Sequence, residues 1–149
     1  MDKIRIIIAD DEDYSRNKIK EELDKYEDIE ILGIACNDEE EIQMIEELKP
    51  DIVLTDLMRN RKFTGLDIIS KYSVKNKNIN FYVISYTDES MLCERYGNVK
   101  GYINKFLNFD IKKLIYDLRL IKQEIKKSNK KINNRKSNII DKIKSVLKK

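Results

Sequence analysis

The stretch IRIIIADDED, residues 4–13, joins two chemistries that normally avoid each other. Five of its first six residues, Ile4, Ile6, Ile7, Ile8 and Ala9, belong in a core. The next four, Asp10, Asp11, Glu12 and Asp13, are all acidic. A strand this apolar is usually covered on both faces, as in a parallel sheet flanked by helices. Carboxylates crowded at its end repel one another, and each raises its neighbours' pKa unless positive charge sits among them. The decisive question is therefore which fold collects acids at a strand tip, and what neutralises them there.

Working outward, short apolar runs alternate with longer amphipathic ones. Residues 3–9 read as a buried strand. Residues 14–26 follow with large side chains at Tyr14, Ile19, Leu23 and Tyr26, a helical spacing. IEILGIAC, residues 29–36, is a second strand. Asp38 is the expected N-cap of the next helix, with Glu41 three residues on as an acidic capping box. That helix carries Ile42, Ile45 and Leu48 and stops at Pro50. DIVLTD, residues 51–56, is a third strand. Gly65 precedes a helix with Leu66, Ile69 and Tyr72. INFYVIS, residues 79–85, is a fourth strand, a short helix spans about 89–96, and VKGYIN, residues 99–104, is a fifth strand. A last helix starts near Phe109, with Ile111, Leu114, Ile115, Leu118, Ile121 and Ile125 on one stripe. Five βα repeats with right-handed crossovers imply an α/β doubly wound parallel sheet, flavodoxin-like, in the order 2-1-3-4-5.

In such a sheet, ligands bind beyond the carboxyl ends of the strands, where strand order reverses. Here that point lies between the first and third strands, which end at Asp10-Asp11 and at Asp56. Mg²⁺ is the hard cation that takes carboxylate and carbonyl oxygens while keeping its waters. Asp-Asp after a strand is also ordinary helix-start composition, so the pair alone leaves both readings open. The other tips add weight to the metal reading: the fourth strand ends in Ser85 and the fifth at Lys105. Acids with a metal, a hydroxyl and an ammonium at adjacent tips describe a phosphate-handling site.

On these residues the chain resembles the receiver domain of bacterial two-component response regulators, over roughly residues 2–122. The matching pieces are IIIADDED, DIVLTD, GLDII, VIS and KGYINK, in order. The resemblance implies that Asp56 accepts a phosphoryl group from the phosphohistidine of a sensor histidine kinase or phosphotransfer protein. It implies that Asp10, Asp11, Asp56 and the backbone carbonyl of Met58 hold Mg²⁺. It implies further that Lys105 pairs with the phosphoryl oxygens, that Ser85 bonds to the acyl phosphate, and that Tyr102 is the aromatic whose rotamer follows Ser85. The signal would pass through the face of the fourth helix, fifth strand and last helix, which is also an expected homodimer surface. Such a domain catalyses only its own phosphorylation and dephosphorylation.

The chain departs from the family pattern in places. The loop after Asp56, LMRNRKFTG, is one residue longer than usual and lacks the family's proline. Its Arg59, Arg61 and Lys62 are expected close to the phosphoryl site. Tyr86 follows Ser85 where a small residue is usual, and is expected to crowd the pocket mouth. Thr87 rivals Ser85 for the hydroxyl role, and Phe106 replaces the usual proline after Lys105.

The totals narrow the remaining choices. With 149 residues, 41% of them apolar, the chain suits one domain. It has no histidine, which excludes a Ser-His-Asp triad, a His-ligated zinc and a phosphohistidine of its own. Cys36 and Cys93 make neither a disulfide framework nor a metal spacing and read as packed thiols. No stretch approaches the roughly 20 apolar residues of a membrane span, and no signal-peptide pattern is present, so the expected location is cytoplasmic with no membrane partner. The net charge of +3 hides an asymmetry: residues 110–149 hold 14 basic and 4 acidic side chains, and residues 1–109 hold 16 and 23.

The expected boundary places the receiver at 1–125 and a basic extension at 126–149. KKSNKKINNRKSN reads as a linker or a solvated helix, and IIDKIKSVLKK as an amphipathic helix needing a partner. This end is weakly similar to the start of the output domain of sporulation regulators, transcription factors of spore-forming bacteria, and would reach DNA through an output domain. The alternative is a nucleic-acid or acidic-surface module acting through the basic tail itself, on a receiver fold not regulated by phosphorylation. An aspartate-based phosphatase is disfavoured, because the second aspartate that class carries two residues after its nucleophile is Met58 here.

Overall fold

A computed structural model describes residues 2–75, 78–86, 90–105 and 109–148. The elements run β1 (Ile4–Ala9), α1 (Asp13–Leu23), β2 (Ile29–Ala35), α2 (Asp38–Leu48), β3 (Ile52–Thr55), α3 (Thr64–Lys75), β4 (Asn80–Ser85), α4 (Ser90–Arg95), β5 (Val99–Asn104) and α5 (Ile111–Leu147). The five strands form one parallel sheet in the order β2-β1-β3-β4-β5, as expected.

The sheet divides two apolar layers. On one face Ile4, Ile6, Ile8, Leu54, Tyr82 and Ile103 pack with Ile19 and Leu23 of α1 and with Leu114, Ile115 and Leu118 of α5. On the other, Ile7, Val53, Phe81 and Val83 pack with Ile45 of α2 and Ile68, Ile69 and Tyr72 of α3. Period-2 alternation along each strand sends successive side chains to opposite layers, which explains why the strands are apolar throughout. Tyr14, expected on the apolar stripe of α1, is exposed instead, because α1 begins beside the strand tips and only its later turns reach the sheet.

Helix ends show how local chemistry sets the elements. The N-cap of α2 is Asn37 rather than Asp38: its side chain accepts from Glu40 N at 2.9 Å. Four acids follow in the first turn, where the helix dipole favours them. At the other end Lys49 adopts φ 47°, and Arg5 donates to the carbonyls of Leu48 (2.8 Å) and Lys49 (2.9 Å), groups the helix itself leaves unpaired. Cys36 is exposed, contrary to the expectation of a packed thiol, while Cys93 is half-buried against the α3 layer.

The end of the chain resolves the choice between linker and helix. No glycine or proline follows Ile111, and α5 continues unbroken for 37 residues, capped at Asp110, which accepts from Lys113 N at 3.1 Å. Its first half packs on the sheet. From Lys126 onward every described residue is exposed.

Candidate functional site

Strand register places the site. Ala9 of β1 lies level with Thr55 of β3, so Asp10 and Asp56, the next residues, leave the sheet side by side. Ser85, the last residue of β4, pairs with Asn104 of β5, and its carbonyl accepts from the Lys105 N–H at 2.8 Å. All four tips therefore face one hollow.

The side chains meet there. Lys105 Nζ donates to Asp10 Oδ2 at 2.6 Å and to Asp56 Oδ2 at 2.9 Å, and all three side chains are nearly fully buried. Asp10, Asp11 and Asp56 each offer a carboxylate oxygen, and these atoms lie within 4.8 Å of one another. Asp11 is half-buried at the open side, where its Oδ2 accepts from Asn60 N at 3.1 Å. Asp10 Oδ1 accepts from Glu12 N at 2.9 Å, which holds the acid run against the start of α1. Met58 N–H points at Asp56 Oδ1 across 3.4 Å.

Burial is the largest influence on Asp56 and pushes its carboxyl above the ordinary range; the Lys105 charge and hydrogen bond pull back only in part. For Lys105 burial pulls down, but the bonds and charges of Asp10 and Asp56 outweigh it and hold the ammonium above its usual value. Three carboxylates around one ammonium leave an excess of negative charge, and the donor set is all hard oxygen. It suits a divalent cation such as Mg²⁺, and it answers the question posed by the acid run.

Two further features shape the hollow. Tyr86 is partly exposed; its ring lies 4.9 Å from Lys105 Nζ, and its hydroxyl donates to Glu12 Oε2 at 2.9 Å. It forms a wall between β4 and α1. Gly65, in the first turn of α3, is packed so closely that a Cβ there would stand 2.1 Å from the Asp56 carbonyl oxygen. A glycine at that point lets α3 start directly against the peptide of Asp56.

The loop after Asp56 differs from expectation. The additional residue is absorbed in a two-residue hairpin: Arg59 and Lys62 exchange backbone bonds at 2.7 and 2.9 Å, and Asn60 and Arg61 both have positive φ, as a type I′ turn requires. Arg61 and Lys62 are exposed. Arg59 does not face the hollow. Its guanidinium turns beneath the site, where Nη1 meets Asp38 Oδ1 and Glu41 Oε2, each at 2.6 Å. Its Nη2 donates to Thr55 Oγ1 at 2.6 Å and to the Asp56 carbonyl at 3.1 Å. Glu41, expected as a capping residue, is instead 0% exposed and also accepts from Thr55 Oγ1 at 3.0 Å. One signal pointed there: Glu41 shares a helix face with Ile45 and Leu48, so its position is a core position.

Tyr102 sits in the middle of β5, half-buried against the α3–α4 layer, within 5.8 Å of Lys113 Nζ. Thr87 and Phe106 lie outside the described residues. Among the described residues no helix is long and apolar enough to cross a membrane.

Known proteins are similar to this chain in sequence and fold. Residues 6–119 match the response regulator receiver domain. Among curated proteins, a protein-glutamate methylesterase/protein-glutamine glutaminase of Geobacter sulfurreducens is 43% identical over 75 residues, covering 49% of this chain and 20% of that protein. The transcriptional regulatory protein YhcZ of Bacillus subtilis is 34% identical over 87 residues, covering 58% of this chain and 40% of that one. The matched part is thus well under half the length of either relative. Among solved structures, the response regulator domain of Thermotoga maritima CheB superposes with a TM-score of 0.69 at 22% identity, over 80% of this chain and 96% of that one. The isolated REC domain of RcsB from Salmonella enterica serovar Typhimurium, studied with the phosphomimetic BeF3⁻, gives 0.66 at 20% identity over 78% and 88%. The fold, the acid cluster at its strand tips and the match over residues 6–119 agree, and the chain belongs to the response regulator receiver family.

Proposed function

We propose that this receiver takes a phosphoryl group on Asp56 from a histidine kinase or phosphotransfer protein and signals through the α4-β5-α5 face. The observation that carries the reading is the Lys105 ammonium held between Asp10 and Asp56 with Asp11 alongside. An Asp56 carboxylate oxygen attacks phosphorus as the phosphorus–nitrogen bond of the donor's phosphohistidine breaks, and the imidazole leaves with the bonding pair. Asp10, Asp11, Asp56 and the Met58 carbonyl are the residues that would hold Mg²⁺, which supplies positive charge against the phosphoryl oxygens. Lys105 exchanges its bond to Asp56 for one to the new phosphoryl group. Ser85 hydrogen-bonds to the acyl phosphate, and its shift moves the β4 tip.

The tie from Lys105 N–H to the Ser85 carbonyl links that motion to β5, which carries Tyr102 against the α3–α4 layer. Tyr82 extends the link to α5: its hydroxyl donates to Asp117 Oδ2 at 2.6 Å, and Lys113 joins the same carboxylate at 2.8 Å. The outcome is a population shift of the α4-β5-α5 face, limited by the extra contacts the phosphate makes in the signalling state.

The test is labelling with acetyl phosphate followed by intact mass measurement. The parent gains the mass of one phosphoryl group in Mg²⁺ and none in EDTA, and Asp56→Asn gains none in either. Equal labelling of parent and Asp56→Asn would refute the assignment.

The receiver unit is residues 1–125 and the extension 126–149 in this reading. A second role is favoured by the extension itself: its sequence holds ten basic and one acidic side chain, and its exposed helix carries an uncovered aliphatic row at Ile132, Ile139 and Ile143. Such a helix attracts an acidic surface or nucleic acid in a salt-dependent way. Loss of binding to a random DNA duplex on deleting residues 126–149, at low salt, supports that role; unchanged binding, or none by the parent, removes it.

A further inference from the structure

The family resemblance gives the loop after Asp56 no buried cation, yet here one lies under the acceptor. Arg59 is 5% exposed although its backbone is in a surface hairpin. One nitrogen of its guanidinium touches two carboxylates of α2, Asp38 and Glu41. The other touches Thr55 and the carbonyl of Asp56 itself. Glu41 completes the circle by accepting from Thr55 Oγ1. A planar, always charged guanidinium is the side chain suited to such a two-sided bridge; a lysine reaches one side only.

The contact falls at a specific place. The Asp56 carbonyl is held by Arg59 from one direction and packed against the backbone at Gly65 from another. Gly65 N–H also donates to the Leu57 carbonyl at 3.0 Å. Three residues, Asp56, Leu57 and Met58, lie before the Arg59 anchor. At the far end of the hairpin start, Asn60 N–H is fixed to Asp11. The backbone carrying the Met58 carbonyl is therefore pinned before it by the Arg59 bond to the Asp56 carbonyl and after it by the Asn60 bond to Asp11, and Arg59 itself is anchored on α2, away from the metal ligands.

We propose that Arg59, clamped by Glu41, is a positioning residue that sets the Met58 carbonyl and the Asp56 carboxylate for divalent-cation binding. The inference rests on the metal reading given above and adds residues that act on the site from α2. Without the clamp the hairpin keeps its turn but loses its tether to β3, so the carbonyl donor no longer waits at a fixed point and the cation must order the loop as it binds.

A buried ion pair complicates any single substitution, since removing one partner strands the other, whereas replacing both with neutral groups is often neutral for stability. The double variant Glu41→Gln/Arg59→Met separates the two effects. Calorimetric titration with Mg²⁺ alone, without any phosphoryl donor, reads the site directly, and thermal unfolding in EDTA reads stability. The double variant is expected to melt close to the parent while its Mg²⁺ affinity falls about tenfold, and Arg59→Lys to lose affinity as well. If the double variant does not melt cooperatively, Arg59→Lys, which retains the charge beside Glu41, becomes the deciding variant. Affinity within twofold of the parent in the deciding variant, with the parent binding Mg²⁺, overturns the positioning role alone. A parent that shows no Mg²⁺ binding at millimolar concentration overturns the metal reading and this inference with it.

Discussion

Charge is handled in opposite ways at the two ends of this molecule. In the hollow at the strand tips Asp10, Asp56 and Lys105 are buried, and each is held by a named partner within 3 Å. In the second half of α5 the lysines are exposed. The ion pairs made by Lys126 and Lys127, at 3.6 Å, are loose and solvent-facing. Buried charge survives only with fixed partners, and that requirement gives the hollow its defined geometry. Solvated charge imposes no such geometry. One end has fixed charge geometry, and the other has exposed charge without fixed partners.

Helix α5 tests the contrast within one element, since its apolar row continues from the packed half into the exposed half. Leu118 is 0% exposed and Ile139 is 57% exposed. Leu118→Ala removes a fully buried side chain and is expected to cost about 3 kcal/mol in urea unfolding. In the hollow, Lys105→Met leaves two buried carboxylates without their cation; in EDTA a loss of about 2–3 kcal/mol is expected, with partial recovery on adding Mg²⁺ because the ion restores positive charge. Stabilisation by Mg²⁺ in the parent but not in that variant would show instead that the ion needs the ammonium in place.

Smaller effects sharpen the comparison. Tyr86→Ala removes the ring over Lys105 and opens the mouth; acetyl phosphate labelling is expected to accelerate about two- to fivefold, the size of an exposed cation–π contact of roughly 0.5–1 kcal/mol. A slower reaction would mean that the tyrosine holds Lys105 in its working position. The smallest effect is expected for Ile139→Ala, within about 0.5 kcal/mol of the parent. A larger loss would show that this half of α5 is covered in solution.

Much of this was legible in the sequence, for identifiable reasons. Strands buried on both faces must be apolar throughout, so β1, β3 and β4 announced themselves. Strand order then fixed which tips meet: the acid pair, Asp56 and Lys105 come together, and the Ser85 carbonyl is tied to Lys105 N–H. Three features were not legible locally. Asn37 and Asp38 are both good capping residues, and composition could not choose between them. Arg59 is expected at the phosphoryl site because it lies in the basic loop directly after Asp56; its destination depends on Glu41, a helix residue 18 positions away whose burial only the packed fold reveals. The continuity of α5 was ambiguous because residues 126–138 contain a single large aliphatic residue, Ile132, and nothing that breaks a helix. Tertiary pairing decided where Arg59 goes, and helix propagation from the packed half decided the course of α5.

The central claim is that the acids at the strand tips serve one acceptor, Asp56. Borohydride reduction of the acetyl phosphate-treated protein converts an aspartyl phosphate to homoserine, and tandem mass spectrometry of the digested chain locates it. The account predicts homoserine at position 56, only in samples that contained Mg²⁺. Homoserine at position 10 or 11, or none at all in a folded sample with Mg²⁺, would contradict it.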